Sequence, residues 1–387
     1  MSAPKVLFYV QHLLGIGHVK RATTLARAMA GEGLDVTVVS GGADIQVIDS
    51  GGMNLVQLPP VRASDRNFGG LVDEAGAPVS EALKTERREI LLQCFAQMRP
   101  DALLVELFPF GRRQLRFEII PLLEAARALS PRPRIISSVR DILVEKNRPE
   151  RDSEMVAWAR QYFDDIFIHG DPGLIPFEQT FRAAAEISDL MHYTGYVVEH
   201  DKISSASGDQ GLGEVIVSSG SGAVGALLLN TAIVARAGSV LADHPWRLLA
   251  GYSLDEASFA ALKRRASEGV IVERARPDFV DLLKNCVLSI SLGGYNTVME
   301  VLATGARGIV VPYAGGQETE QTLRARLLEG RGLIYQIPEG ELTKDRLIEK
   351  ISLAMDAGGP PKSAAPAGID MDGARKTASL LVRRLGI

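Results

Sequence analysis

One stretch, Val287 to Gln321, does most to limit how this chain folds. Val287–Ser291 and Ile309–Val311 are short, mainly apolar runs of strand length. Runs of this kind are buried on both faces, as in a parallel sheet covered by helices. Between them lie Gly293-Gly294, a two-turn helical segment and a stop at Gly305. After the second run, Gly315-Gly316 leads into another helix that carries Glu320 and Gln321. The plan is strand, glycine turn, helix, glycine stop, strand.

The same plan opens the chain. Val6–Val10 reads as a buried strand, Gln11–His18 as a glycine loop, Val19–Ala30 as a helix ended by Gly31, and Leu34–Val39 as the next strand. A third copy starts at Glu214–Val217, with the loop Ser218-Ser-Gly-Ser-Gly222 and an apolar helix over Ala223–Ala237. Two domains of ordinary size suit 387 residues. A polar, unpatterned linker over 199–212 separates an N-terminal domain, 1–198, from a C-terminal domain, 213–357. A Gly/Pro/Ala-rich segment from 358 precedes a last helix at about Met371–Leu385.

Candidate chemistry sits where strands end. Gly293 and Gly294 admit close backbone approach and leave helix-start N–H groups unpaired. Glu300 follows Asn296 by four residues, on the same helix face, where a carboxylate suits a sugar diol. Thr297-Val-Met-Glu300 equally matches a capping box, in which Glu300 would serve only its own helix. The small residues Ser219, Gly220, Ser221 and Gly222 before a helix make a cradle for a diphosphate, without the Gly-Lys-Ser/Thr ending of a Walker loop.

His18 stands at a helix start, where the macrodipole disfavours the imidazolium and leaves a ring able to accept a proton. The plainer alternative is a histidine simply hydrogen-bonded there. Lys20 occupies the last glycine position of GxGxxG, and Ser40-Gly-Gly follows the second strand where an acidic ribose binder would stand, so a nicotinamide enzyme is not expected. Glu106, Arg140 and Asp141 end further strands, and the polar loop Arg62–Gly76, with Arg66, has the length of an acceptor loop. Arg112, Arg113 and Arg116 with Phe108, Phe110 and Phe117 read either as a contact for an anionic lipid surface or as the wet and buried faces of one helix.

A net charge of −4 argues against a general nucleic-acid binder. The two cysteines, Cys94 and Cys286, form no CxxC or Cys/His set with metal-ligand spacing. There is no signal-peptide core and no apolar run of spanning length, so a soluble, cytoplasmic protein is expected.

The C-terminal half resembles the donor half of the GT-B nucleotide-sugar glycosyltransferases, most closely the MurG-like N-acetylglucosaminyltransferases of family 28. The resemblance covers roughly a hundred residues; the N-terminal half is similar only in outline. It implies two doubly wound, Rossmann-like α/β domains facing a central cleft, with the final helix returning to the N-terminal domain. It implies that Glu300 holds the nucleotide ribose, that Glu320 and Gln321 contact sugar hydroxyls, and that Ser219–Gly222, Gly293, Gly294 and Asn296 line the donor site. Arg274 and Ala275 align with the turn that packs on the base, where the family has a phenylalanine at the position of Arg274; that departure weakens the assignment of uracil.

In the N-terminal half, the resemblance makes His18 the catalytic base; Gly17, Arg66, Glu106, Arg140 and Asp141 are read from their loop and strand-end positions as acceptor-binding or cleft-lining, with structural ion pairs as the alternative for the charged strand-end residues. The implied reaction moves N-acetylglucosamine from a UDP-linked donor to a hydroxyl, with inversion and with neither metal nor cofactor. The implied acceptor is lipid-linked or a polysaccharide, met at the inner face of the cell membrane. Two rivals share the architecture. A UDP-sugar 2-epimerase needs several carboxylates around the sugar and fits one helical glutamate poorly; a non-catalytic sugar-nucleotide-binding protein needs no base at all.

Overall fold

The computed structural model describes residues 3–13, 17–43, 53–64, 70–143, 149–205, 208–220, 225–252, 254–315, 319–356 and 368–387, with only the backbone described at Pro149, Ser204 and Ser205. The chain divides into two compact units, residues 1–197 with 372–387, and residues 198–371.

The first unit is built on a seven-stranded sheet. Its strands are β1 (Lys5–Val10), β2 (Asp35–Ser40), β3 (Asn54–Gln57), β4 (Ala102–Glu106), β5 (Arg134–Arg140), β6 (Asp165–His169) and β7 (Met191–Tyr193). They lie in the order β3-β2-β1-β4-β5-β6-β7 with every neighbouring pair parallel. The apolar character of β1 has a direct cause. Val6, Phe8 and Val10 face one core with Ala22, Leu25, Ala26 and Met29 of helix α1 (Gly17–Gly31). Leu7 and Tyr9 face the other, with Leu91 and Phe95 of α2 (Glu81–Met98) and Ile119, Leu122 and Leu123 of α3 (Arg116–Ala128). Each face is covered by helices, so neither can alternate with polar residues.

The second unit repeats the design with six parallel strands, β8 (Val215–Ser218), β9 (Trp246–Ala250), β10 (Val270–Arg274), β11 (Leu288–Leu292), β12 (Gly308–Val311) and β13 (Tyr335–Gln336), ordered β10-β9-β8-β11-β12-β13. Val215 and Val217 enter a core with Leu228, Leu229 and Ala232 of α4 (Ala226–Ala235), while Ile216 faces Leu282, Leu283 and Val301 on the other side. Helix α5 (Tyr295–Thr304) connects β11 to β12, and α6 (Glu320–Gly330) follows β12. The last helix, α7 (Gly373–Leu385), belongs to the first unit, where Ala378 and Leu381 join the core beneath α1.

Both sheets are doubly wound. In each, the first and fourth strands of the unit are neighbours, β1 with β4 and β8 with β11, and the chain leaves them in opposite directions. That reversal opens a crevice at the carboxyl ends of the two strands, where open α/β sheets take their ligands.

Several local expectations give way. The polar linker holds a short helix, His200–Ser205, and the loop from Arg62 contains a small antiparallel pair, Arg62–Ala63 with Leu71–Val72. Phe108 and Phe110 are buried, which removes the aromatic side of a lipid-contact surface there. Arg112 is not on the helix with Arg116; it lies in the turn before it, in left-handed backbone conformation.

Candidate functional site

In the first unit, α1 starts at Gly17 beyond the carboxyl end of β1, so His18 occupies its first turn. Glu106 closes β4, the neighbouring strand across the crevice. His18 Nδ1 and Glu106 Oε1 are 2.7 Å apart, and Arg21, one turn further along α1, donates from Nη2 to the same oxygen. Glu106 and Arg21 are buried, while the His18 side chain keeps 19% of its surface in solvent.

The electrostatics assign the proton. Burial alone would raise the Glu106 carboxyl, but His18 and Arg21, with Arg112 nearby, overcome it and hold the group at about 2. Burial lowers the His18 imidazole to about 4, against the pull of Glu106 and with help from Arg112 and Arg21. Near neutral pH the pair is a carboxylate and a neutral ring. A carboxylate only accepts, so Nδ1 carries the hydrogen and Nε2 carries the lone pair. A histidine oriented by a buried acid through Nδ1, with Nε2 left as acceptor, is the arrangement of a general base.

Around this pair stand the other sequence candidates of the unit. Gly17 is the first residue of α1, and Arg140 ends β5, the strand beside β4. Asp141 follows, fully buried, with Gly170 so close that an added Cβ would stand 2.6 Å from the Asp141 Cβ. Gly17, His18, Glu106, Arg140 and Asp141 therefore share one sheet edge; Arg66 lies outside the described residues. The sequence reading missed Arg21, whose i,i+3 spacing from His18 was a usable signal, and Arg112.

In the second unit the crevice lies between the ends of β8 and β11. Ser219 is spent on the scaffold: its Oγ donates to Leu249 O at 3.3 Å and accepts from Gly251 N–H at 3.0 Å. Gly220 needs its φ of 69°, and its N–H donates to Ser218 Oγ at 3.2 Å. Ser221 and Gly222 lie outside the described residues. The loop resumes at Gly225, φ 108°, which is the N-cap of α4.

On the other side of the crevice, Gly293 is packed on Pro312 and Gln321, each 3.1 Å from where its Cβ would be, whereas a Cβ on Gly294 would meet nothing within 4 Å. Gly294 is the N-cap of α5, followed by Tyr295 and Asn296. This decides one alternative. A capping box needs Thr297 at the N-cap, and Thr297 is three residues inside the helix, so Glu300 is not a capping glutamate. Glu300 is buried on α5. Gln321 Oε1 accepts from Tyr313 N–H at 3.1 Å, and buried Glu320 is ion-paired with Arg324 at 2.7 Å. Arg274 donates to the carbonyls of Leu254 (2.7 Å) and Gly251 (3.2 Å), pairs with Glu256 and lies 4.0 Å over the Phe259 ring. Ala275 N–H continues the ladder to Ala250 O. Among the described residues, no helix is long and apolar enough to cross a membrane.

Residues 222–374 match the model of the glycosyltransferase family 28 C-terminal domain, almost the span of the second unit beyond β8. Over these residues the chain resembles a family 28 glycosyltransferase C-terminal domain. Curated relatives agree over this part. The UDP-N-acetylglucosamine--N-acetylmuramyl-(pentapeptide) pyrophosphoryl-undecaprenol N-acetylglucosamine transferase of Rhodospirillum centenum is 29% identical over 113 residues, 28% of this chain and 30% of the relative. That of Shewanella denitrificans is 30% identical over 139 residues, 34% of this chain and 37% of the relative. The chain thus matches these proteins over about a third of their length.

Solved structures extend the likeness to both units. MurG of Acinetobacter baumannii aligns with 98% of this chain and 100% of its own at a TM-score of 0.60 and 15% identity. The glycotransferase of kitacinnamycin aligns with 100% of both chains at 0.61 and 15%. At such identity the likeness establishes the fold, GT-B with two Rossmann-like domains, the second holding the segment that matches the family 28 model.

Proposed function

We propose that the protein is a glycosyltransferase that moves a sugar, N-acetylglucosamine in our reading, from a UDP-linked donor to an acceptor hydroxyl with inversion. The observation that carries this is the His18–Glu106 contact, which leaves Nε2 of a neutral imidazole as proton acceptor at the ligand-binding edge of the first sheet. A non-catalytic sugar-nucleotide binder has no use for a base held this way. The family 28 domain supports the donor side.

The acceptor hydroxyl gives its proton to His18 Nε2 while its oxygen forms the new bond at the anomeric carbon. The bond from that carbon to the nucleotide diphosphate breaks, and the electron pair leaves with the diphosphate. Glu106 keeps the imidazolium that forms in place and balances its charge. The N-terminus of α4 would favour the departing negative charge, which makes a metal ion unnecessary for this role. Glu300 takes the ribose diol of the donor, and Asn296 and Gln321 line the same edge.

The test is UDP release with a panel of acceptors. His18→Ala should lower turnover by roughly 100-fold or more with donor affinity unchanged, since His18 and the family 28 domain belong to different units. Normal turnover in that variant, or activity lost to a chelator and restored by magnesium, would remove the corresponding part of the reading.

A further inference from the structure

The turn after β4 carries a cation that neither the general base nor the donor domain uses. At its two ends, Leu107 and Arg112 have φ of 66° and 59°. Left-handed backbone is unfavourable for a residue with a Cβ. The surrounding structure enforces it. Leu107 N–H donates to Ser138 O and Gly111 N–H to Leu107 O, both at 2.8 Å, and Ser137 Oγ donates to Phe108 O at 2.7 Å. Phe110 is wedged edge-on against Phe177 and Phe181. A Cβ on Gly111 would stand 2.7 Å from the Leu107 side chain. A strained turn fixed from several sides delivers Arg112 to one place.

That place is short of negative charge. The groups bearing on Arg112 are Glu106 and the Tyr9 hydroxyl, which favour its charge, and Arg140 and Arg21, which repel it. Glu106 already serves His18 and Arg21 through Oε1. The Nε and Nη2 groups of Arg112 are buried and find no hydrogen-bond partner among the described residues. Oε2 of Glu106 is in the same position. Burial, with Arg140 and Arg21 adding to it, pushes the Arg112 guanidinium below its ordinary range, the response of a buried cation without enough counter-charge. Unmade hydrogen bonds to a charged group are costly, and a native fold keeps them where a ligand makes them.

We propose that Arg112, with Arg140 beside it, binds an oxyanion carried by the acceptor, a phosphate or a carboxylate. The acceptor is then an acidic sugar or a sugar phosphate, held by its charge next to the hydroxyl that His18 deprotonates. This rests on reading the first unit as the acceptor side.

The experiment uses the full chain saturated with UDP, so that the phosphate-binding edge of the family 28 domain is filled. Methyl phosphate and acetate are titrated by calorimetry at constant ionic strength into the native protein, Arg112→Gln and Arg112→Lys. One of the two anions should bind the native protein and bind Arg112→Gln at least tenfold more weakly. Arg112→Lys should fall between, because lysine keeps the charge and loses the fork. Methyl phosphate alone assigns a phosphate, and acetate alone a carboxylate. An unchanged urea-unfolding transition read by Trp158, with Trp246→Phe as background, certifies that the unit holding Arg112 is folded in each variant. Failure of both anions to bind, or equal affinity in Arg112→Gln, overturns the proposal. Arg112-dependent anion binding in a protein that transfers no sugar would instead sink the functional reading and leave the anion site standing.

Discussion

At the scale of single residues, the second crevice rests on Glu300. Its role as a capping-box glutamate is excluded by the start of α5 at Tyr295, and in the function proposed above its carboxylate takes the ribose diol. A diol held by a carboxylate makes charge-assisted hydrogen bonds worth roughly 1.5–3 kcal/mol each. Glu300→Gln should therefore weaken UDP binding by about tenfold or more and leave the melting temperature nearly unchanged; unaltered affinity in calorimetry would end the assignment. His18 and Glu300 were legible because a short motif fixes where each stands, after a strand and at a helix start. Arg112 was not. Its position depends on a left-handed backbone set by Ser138, Phe177 and Phe181, all distant in sequence, so counting along a helix from Arg116 put it on the wrong element.

At the scale of elements, strands and helices were readable wherever a segment buries both faces. β9 falls on Trp246–Ala250 as the apolar run marks it, and α2 begins after Ser80, whose Oγ accepts from Leu83 N–H. Boundaries moved where packing rather than composition decides. The last helix begins at Gly373 because Gly373 N–H donates to Tyr196 O at 2.9 Å, docking the helix on the end of the first unit. A Cβ there would lie 2.3 Å from Gly195 O and 2.7 Å from Tyr196 O, both backbone atoms that cannot yield as a side chain does. Gly373→Ala should cost about 1–3 kcal/mol. The two tryptophans, Trp158 and Trp246, fall one in each unit. With Trp246→Phe as background, urea unfolding followed by Trp158 should show the loss, while UDP affinity holds. Equal stability would mean that α7 docks differently.

At the scale of the molecule, three histidines, two buried and one partly buried, tie stability to pH. His12 and His18 are lowered to about 4 and His169 to about 3, burial being the main cause in each. Unfolded histidine titrates near 6.5. Between these values the unfolded chain binds more protons, so stability is full above about pH 6.5 and falls as pH drops towards 4, by at most about 1.4 kcal/mol per pH unit for each histidine. His169 holds Ser138 Oγ at 2.7 Å and Thr194 Oγ1 at 2.9 Å, contacts a glutamine amide can replace. His169→Gln should flatten the slope between pH 5 and 7 by one histidine's share in urea midpoints. An unchanged slope would show that His169 does not titrate on unfolding.

The same α7 has a consequence for how the protein is made. Residues 198–371 form a continuous unit and can close as soon as they have left the ribosome, whereas the first unit, though translated earlier, lacks Ala378 and Leu381 until the segment behind them has emerged. Until then the underside of α1 is an uncovered apolar surface, the kind on which nascent chains aggregate. Biosynthetic order and folding order are thus reversed: the unit whose residues are translated first is the one completed last.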